Sequence, residues 1–154
     1  MSKEMKEKLK KQLEGIKAVD IMSKYAITIK EDEKIMKLAH LMMRFKISGV
    51  PVVKDNGEIC GIVTSTDLLN IMKKITSDIQ NYAEIEDFAD MNATAFMTKD
   101  VVTITEETNL FEIMKIMCEK NVHTLPVMVI EDKEISGVIG KRDILNAFYG
   151  FPKV

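Results

Sequence analysis

Two short segments of the sequence combine residue types that could hold a small ligand. Residues 61–67 read GIVTSTD, which predicts a strand that runs directly into a helix. At such a junction the free backbone N–H groups and the helix dipole favour an anion such as phosphate, and the hydroxyls of Thr64 and Thr66 add donors. The two oxygens of the Asp67 carboxylate can accept from two adjacent hydroxyls, as a ribose presents them. The segment therefore predicts binding of a phosphate, a cis-diol or both.

The same residues also have a purely structural interpretation. Thr64 and Asp67 have the spacing of a capping box, in which both side chains bond to the first turn of the helix and need no ligand. A second copy, residues 137–143, reads GVIGKRD, so it keeps the acid as Asp143 but has Gly140 in place of the hydroxyl. We interpret the retained acid as an indication that Asp143 does more than cap, although an acid in the first turn is favoured in any helix. Both interpretations stay open at this point.

The second copy also has a basic pair, because Lys141 and Arg142 stand where the first copy has Ser65 and Thr66. These cations could reach the phosphate groups of a bound ligand. They are equally compatible with an exposed basic pair at the start of a helix.

Both segments belong to an internal repeat. Met22 matches Met97 and Pro51 matches Pro126 at an offset of 75 residues, and Asp67 matches Asp143 at 76. The extra residue falls in the polar turn at residues 131–134, where an insertion costs least. Apart from this one insertion, the matches keep the same register from residue 22 to residue 67. Such a register predicts two copies of one structural unit.

Each copy has the pattern of a βαββα unit. β-branched residues at 26–29 and 101–104 predict a first strand, and apolar residues at helical spacing predict a helix after it, capped by Asp32 or Thr108. A strand then begins at Val50 or Leu125. The turn at residues 55–57, Asp-Asn-Gly, is typical of a β-hairpin, and the last helix starts near residue 66 or 141. The predicted fold class is therefore α+β, with two tandem units that bury their apolar faces by packing together.

The remaining segments flank the repeats. Residues 3–17 predict an amphipathic helix, which either packs on its own domain, the interpretation we favour, or binds a partner helix. We expect an N-terminal helix at 1–18, repeats at 19–75 and 93–149, and a polar linker at 76–92.

The motifs of the repeat resemble those of the CBS-domain family. Each copy ends with a glycine, a hydrophobic residue, any residue, a Thr or Ser, and an Asp three residues after that. The second copy departs from this pattern at one position, where Gly140 replaces the Thr or Ser. Residues 47–52, ISGVPV, and residues 122–127, VHTLPV, look like that family's second-strand motif. The resemblance covers residues 19–74 and 93–149. It implies two units about a pseudo-twofold axis, whose two clefts commonly hold AMP, ADP, ATP or S-adenosylmethionine.

The resemblance also implies which residues contact such a ligand. In the first site Asp67 would hold the ribose, and in the second site Asp143 would do so. The residues implied for the first site are Ile27, Thr28, Ser48, Gly49, Val50, Pro51, Thr64, Thr66 and Asp67, and those for the second are Thr103, His123, Thr124, Leu125, Pro126 and Asp143. Lys141 and Arg142 could reach the phosphates of a nucleotide bound in either cleft. Because Gly140 removes a hydroxyl, we expect the better site at Asp67.

Composition and motifs exclude several other functions. A net charge of −2 with 6% aromatic residues does not favour nucleic acid or an anionic membrane, and no apolar run reaches the roughly 20 residues of a membrane span. The N-terminus lacks the apolar centre of a secretory signal, and Cys60 and Cys118 form no CxxC, so we expect a cytoplasmic protein whose cysteines are small core residues. Neither a metal cluster nor a nucleophile with its base is evident, so we expect no catalysis.

Two functions remain in consideration. The first is a regulatory module that senses an adenine nucleotide or S-adenosylmethionine and acts on a protein partner. The second is a module for dimerisation or partner binding that needs no ligand. For either function we expect a homodimer, because the last helices have apolar faces at residues 68–72 and 144–148.

Overall fold

The structure, a computed structural model, describes residues 1–78, 88–131 and 134–150, and its class is α+β, as predicted. Each copy of the repeat has the predicted βαββα order. In chain order the elements are α1 (Lys3–Glu14), α2 (Ala18–Ile21), β1 (Ile29–Lys30), α3 (Ile35–Phe45), β2 (Gly49–Val53), β3 (Ile59–Thr64), α4 (Ser65–Asp78), a 3₁₀ turn (Ala93–Ala95), β4 (Ile104–Thr105), α5 (Leu110–Glu119), β5 (Thr124–Met128), β6 (Ile135–Gly140) and α6 (Lys141–Tyr149).

The strands form two three-stranded sheets of the same topology. In each sheet the middle strand pairs parallel with the first strand and antiparallel with the third, in the orders β1-β2-β3 and β4-β5-β6. The predicted hairpin turn joins β2 to β3. Gly57 has φ +84°, which glycine adopts without strain, and its N–H donates to the carbonyl of Lys54 at 2.9 Å.

Both parallel pairings begin later than the sequence predicts. The first strands were expected at residues 26–29 and 101–104, but they begin at Ile29 and Ile104, which pair with Val52 and Val127. The residue before each partner is a proline, which has no N–H to donate to a neighbouring strand. The ladder therefore does not extend back toward residues 26–28 or 101–103.

The chain separates into two compact units that do not follow the sequence repeats. The first unit is Ile27–Val101 and contains β1, β2 and β3, while the second is Met1–Ala26 together with Val102–Val154 and contains β4, β5 and β6. We call residues 15–23 and 90–98, which precede the first strand of each repeat, the two lead segments. Each lead segment is therefore part of the unit that contains the sheet of the other repeat.

Backbone hydrogen bonds hold each lead segment in this exchanged position. Ser23 and Val138 bond reciprocally at 3.0 and 3.2 Å, and Thr98 and Ile62 do the same at 2.9 and 3.0 Å. The N–H of Ala18 also donates to the carbonyl of Thr108 at 2.8 Å. Ala93 makes the corresponding bond, to Glu33 at 3.0 Å, so the two exchanges use equivalent positions.

The cores of the two units also use equivalent positions. In each unit one sheet and its first helix enclose buried aliphatic residues, and one alanine from a lead segment completes the cluster. The first unit's core contains Ile29, Leu38, Met42, Val50, Val52, Val63 and Ala93, and the second unit's core contains Ala18, Ile104, Ile113, Met117, Leu125, Val127 and Ile139.

The N-terminal helix packs on its own unit, which is the interpretation that we favoured. It contacts α5, where Leu13 is buried and the Lys10 ammonium lies 5.1 Å from the centre of the Phe111 ring. The helix ends at Glu14 rather than at residue 17. Ile16 lies beyond its end, and the Ile16 carbonyl accepts the N–H of Leu110 at 2.7 Å.

Several local predictions are wrong. The N-cap residue of α3 is Lys34 rather than Asp32 and makes no side-chain capping bond, and Asn109 rather than Thr108 caps α5. Thr108 instead accepts the N–H of Thr105 through its hydroxyl at 3.1 Å. Cys118 is exposed and is not a core residue. Most of the predicted linker and the middle of the turn at 131–134 lie outside the described residues.

Candidate functional site

The first corner, residues 64–67, joins β3 to α4. Oδ2 of Asp67 accepts the N–H of Thr64 at 2.7 Å and the Thr64 hydroxyl at 2.8 Å. In return the N–H of Asp67 donates to the Thr64 hydroxyl oxygen at 3.3 Å. The predicted capping box is therefore present, and it uses both Thr64 and Asp67.

The second corner, residues 140–143, joins β6 to α6 and lacks the hydroxyl. The N–H of Gly140 donates to Oδ2 of Asp143 at 2.8 Å, which matches the bond from Thr64 to Asp67. The acid thus satisfies the same backbone donor in both corners. The retention of Asp143 is explained by this bond, so it is no separate indication of ligand binding.

One oxygen of each acid has no donor among the residues that the structure describes. Asp67 and Asp143 are both half-buried, and among the described residues no hydrogen bond or ion pair reaches Oδ1 of either. Oδ2 of Asp67 already accepts two donors, so a diol at the first corner has to bind through Oδ1. Oδ2 of Asp143 accepts one donor, which leaves acceptor capacity on both oxygens of the second corner.

The Thr64 hydroxyl is not a free donor at the first corner, because it donates to Asp67. The sequence interpretation counted this hydroxyl as a ligand contact that the second corner lacks. In the structure the hydroxyl strengthens the cap and occupies acceptor capacity of the acid. Ser65 and Thr66, the two residues between Thr64 and Asp67, are exposed, so their hydroxyls are accessible.

The strand register places the other expected site residues at the same end of their own sheet. Gly49 pairs with Thr64 at the start of β2, and residues 27–28 directly precede β1 on the other side of β2. The second unit repeats this arrangement, with Thr124 opposite Gly140 and Thr103 directly before β4. Each unit by itself therefore brings its expected residues to one end of one sheet.

These residues differ in what they can offer to a ligand. The side chains of Val50, Pro51, Leu125 and Pro126 are fully buried, so only their backbone atoms could contact a ligand. Gly49 and Thr124 are buried too, and Ile27 is half-buried. The exposed side chains of the set are Thr28, Ser48, Thr66, Thr103, His123, Lys141 and Arg142.

The residue before the second strand of each repeat, Ser48 or His123, bonds directly to the corner. The N–H of Ser65 donates to the carbonyl of Ser48 at 2.9 Å. In the second unit the N–H of Lys141 donates to the carbonyl of His123 at 3.3 Å. Ser48 and His123 therefore hold equivalent places beside the first turn of α4 and α6.

Sequence reasoning missed a methionine–glycine contact on each third strand. A Cβ built on Gly61 would overlap the sulfur of Met97, and one built on Gly137 would lie 2.7 Å from the sulfur of Met22. Both glycines give room to a methionine from a lead segment. The signal was present in the sequence, because methionine and glycine recur at nearly the same offset, but it did not show that they touch.

The rest of the described structure adds little chemistry. Burial raises the pKa of the Cys60 thiol, which donates to the Val52 carbonyl at 3.4 Å. Within residues 1–78, 88–131 and 134–150, no three His, Cys, Asp or Glu side chains converge as metal ligands. None of the described helices combines the length and the apolar composition needed to cross a bilayer.

Known proteins match most of this chain. The CBS domain family matches residues 18–74 and 93–150. A homoserine O-acetyltransferase from Methanosphaera stadtmanae is 32% identical over 129 residues, which are 84% of this chain and 23% of that protein. An inosine-5′-monophosphate dehydrogenase from Methanocaldococcus jannaschii is 29% identical over 136 residues, which are 88% of this chain and 24% of that protein. The chain thus spans about a quarter of the length of these curated relatives.

A solved structure has the same fold. The crystal structure of the CBS domain pair of protein MJ0100, in complex with 5′-methylthioadenosine and S-adenosyl-L-methionine, matches with a TM-score of 0.70 and 25% identity. The match covers 87% of this chain and 96% of that one. The two repeats, the βαββα order and these matches lead to one conclusion. The chain belongs to the CBS-domain family and contains two tandem CBS repeats.

Proposed function

We propose that this chain is a regulatory module that binds an adenosine-type ligand at its corners and carries out no reaction itself. The observation that supports this most directly is the pair of curated relatives. One is named for acetyl transfer and the other for dehydrogenation, yet both share with this chain a segment of about a quarter of their length. A segment common to two different chemistries is better suited to regulating an enzyme than to catalysis.

The ligand class follows from the acids and from the solved relative. The CBS domain pair of MJ0100 is complexed with two adenosine compounds. In this chain Oδ1 of Asp67 and of Asp143 is an acceptor with no donor among the described residues, which suits a ribose diol. We propose AMP, ADP, ATP or S-adenosylmethionine as the physiological ligand, with no cofactor that takes part in catalysis.

The proposed signal is a change in conformation or in oligomeric state. A ligand shifts such an equilibrium only by its difference in affinity between the states. If the ligand is an adenine nucleotide, the module reports the energy state of the cell to a regulated protein partner. A cytoplasmic setting is consistent with Cys60 and Cys118, which are both free thiols.

Isothermal titration calorimetry with AMP, ATP and S-adenosylmethionine tests the proposal. The protein is first shown by mass spectrometry to be free of copurified ligand. We expect binding to at least one compound, and loss of binding when Asp67→Asn and Asp143→Asn are combined. Asparagine keeps a side-chain oxygen for the cap but removes the charge that attracts a diol, so the variant is expected to stay folded. No heat with any compound would overturn the proposal.

The alternative function, a module that only dimerises or binds a partner, is supported by the exposed apolar faces of two helices. Leu69 on α4 and Leu145 on α6 occupy equivalent positions and are 63% and 67% exposed. Apolar surfaces of this kind suit a twofold contact between copies. We propose a homodimer through these faces under either function.

Two measurements separate the alternative from ligand binding. If the corners are only caps, Asp67→Ala lowers the free energy of unfolding by about 0.5–2 kcal/mol and no adenosine compound shifts the melting temperature. Light scattering after size exclusion tests the dimer, with Leu69→Asp combined with Leu145→Asp expected to give a monomer. A wild-type monomer at every concentration would contradict the dimer without affecting ligand binding.

A further inference from the structure

The two corners differ in side-chain chemistry at three equivalent positions, two of which differ in charge. The first unit has hydroxyls at Ser48, Ser65 and Thr66, and the second unit has His123, Lys141 and Arg142 in their places. The positions are structurally matched, because residue 65 bonds to residue 48 and residue 141 bonds to residue 123 through the same backbone atoms. At this end of its sheet the first unit therefore has three neutral hydroxyls, and the second unit has a histidine and two cations.

The two cations of the second corner are available to a ligand. Lys141 and Arg142 are exposed, and neither forms an ion pair with any residue that the structure describes. They occupy the first two positions of α6, a helix of 9 residues, where the helix dipole adds positive potential. The acid of this corner accepts the N–H of Gly140, so it is held by the backbone and not by the cations.

The first corner has the opposite balance. Ser65 and Thr66 are neutral, and Asp67 is the only charged residue in the first turn of α4. A phosphate placed there gains hydroxyl and backbone donors but meets a carboxylate that no cation in that turn offsets. A ligand that is uncharged or cationic near the ribose meets no such repulsion.

We propose that the two corners select different adenosine compounds, with phosphorylated ones at the second corner and unphosphorylated ones at the first. This inference rests on the proposed function, because it assumes that Asp67 and Asp143 hold a ribose. It assigns Lys141 and Arg142 as specificity-determining residues for phosphate. The sequence alone predicted tighter binding at the Asp67 corner. Under this proposal, the corner that binds more tightly depends on whether the ligand has a phosphate.

Adenosine and AMP are the matched probes, because they differ only by the phosphate. Each corner is measured alone by calorimetry, the second corner in Asp67→Asn and the first in Asp143→Asn. At the second corner we expect AMP to bind about tenfold or more tightly than adenosine, and at the first corner the two to bind within about threefold of each other. Added salt should weaken AMP at the second corner and leave adenosine there unchanged.

Exchange of the residues between corners tests the assignment. In the Asp67→Asn background, Lys141→Ser with Arg142→Thr should reduce the AMP preference to within about threefold. In the Asp143→Asn background, Ser65→Lys with Thr66→Arg should create a preference for AMP. Lys73→Ser with Lys74→Thr is the matched control, because it removes the same charge from the same kind of helix away from the corner.

The outcomes distinguish the two proposals. If neither probe binds to any of these proteins, this inference is overturned, and the proposed function is overturned as well only if ATP and S-adenosylmethionine also give no heat. If both probes bind but the exchange at residues 141 and 142 leaves the AMP preference unchanged, this inference alone is overturned. Lys46→Asn, which gives residue 46 the side chain of its counterpart Asn121, checks the cation nearest in sequence to Ser48 and should change neither affinity.

Discussion

The acid of the first corner accepts two bonds from Thr64, whereas the acid of the second corner accepts one, from the N–H of Gly140. Around these corners the two units are closely alike. Their cores use equivalent positions, their sheets have the same order, and their lead segments are exchanged through the same backbone bonds. The features that the fold requires are therefore repeated in both units. The polar side chains at the corners are not required by the fold and differ.

The largest effect is expected where the two units are most alike. Leu38 and Ile113 occupy equivalent core positions and are both fully buried. Truncation of either residue to alanine should lower the free energy of unfolding by about 2–5 kcal/mol, because it removes apolar contacts and leaves a cavity. Urea denaturation followed by circular dichroism measures this. Met43→Ala, on an exposed face of α3, is the control, and a loss below about 1 kcal/mol for one core variant would break the equivalence.

The glycines of the third strands should separate the units. In Gly61→Ala the three atoms nearest to the new methyl group all belong to the side chain of Met97, which can move. In Gly137→Ala it also meets the backbone oxygen of Ser23, at 2.8 Å, which is held in the reciprocal bridge to Val138. Overpacking costs about 1–3 kcal/mol, and we expect the second variant near the upper end and the first near the lower.

Double-mutant cycles sharpen this second prediction. Met97→Ala should remove most of the cost of Gly61→Ala, whereas Met22→Ala should remove only part of the cost of Gly137→Ala, since the carbonyl of Ser23 stays in place. Thermal melting of the single and double variants gives the coupling energies. Equal relief in both units would show that the backbone contact has no effect.

The capping hydroxyl predicts a smaller difference in stability. Thr64→Val keeps the shape of the side chain but removes the hydroxyl that caps Asp67, so the free energy of unfolding should fall by about 0.5–2 kcal/mol. Gly140→Thr should raise it, because a Cβ at Gly140 lies 3.8 Å from the nearest atom and has room. Chemical denaturation checks both variants. A loss of stability in Gly140→Thr would show that the two corners are not interchangeable caps.

The smallest effects are expected from the exposed ion pairs at the lead segments. Hydrogen bonding and charge attraction by Glu107 raise the pKa of Lys17, and the same interactions with Lys34 lower the pKa of Asp90. The stabilisation of the fold by the Lys17 pair is fully present below the usual lysine pKa and is lost as the pH rises through the raised pKa of Lys17. The stabilisation by the Asp90 pair is fully present above the usual aspartate pKa and is lost as the pH falls through the lowered pKa of Asp90.

Melting temperatures measured across a range of pH test these two contributions. Lys17→Met should flatten the alkaline limb of the curve, and Asp90→Asn should flatten the acid limb. High salt should reduce both differences, because the pairs are open to solvent. A change at neutral pH as large as that of the core variants would contradict the assignment of these pairs to the surface.

Much of the fold was predictable because it repeats. The offset of 75 residues, the Asp-Asn-Gly turn and the apolar periodicity gave the element order, and the hairpin and the capping box are confirmed. The start of the first strands was not predicted, because a strand edge depends on its partner, and here that partner has a proline opposite the missing position. The exposure of Cys118 likewise depends on which face of α5 packs inward.

The sequence by itself determined the family, the two corners and the charge difference between them, because these depend on residue types at fixed offsets. Only the tertiary structure decided that the Thr64 hydroxyl belongs to the cap and that each lead segment joins the sheet of the other repeat. The physical reason is that both depend on partners chosen across space. A hydroxyl in a sequence is a possible donor to many acceptors, and a strand edge can pair with either of two equivalent repeats, so only the folded chain selects among them.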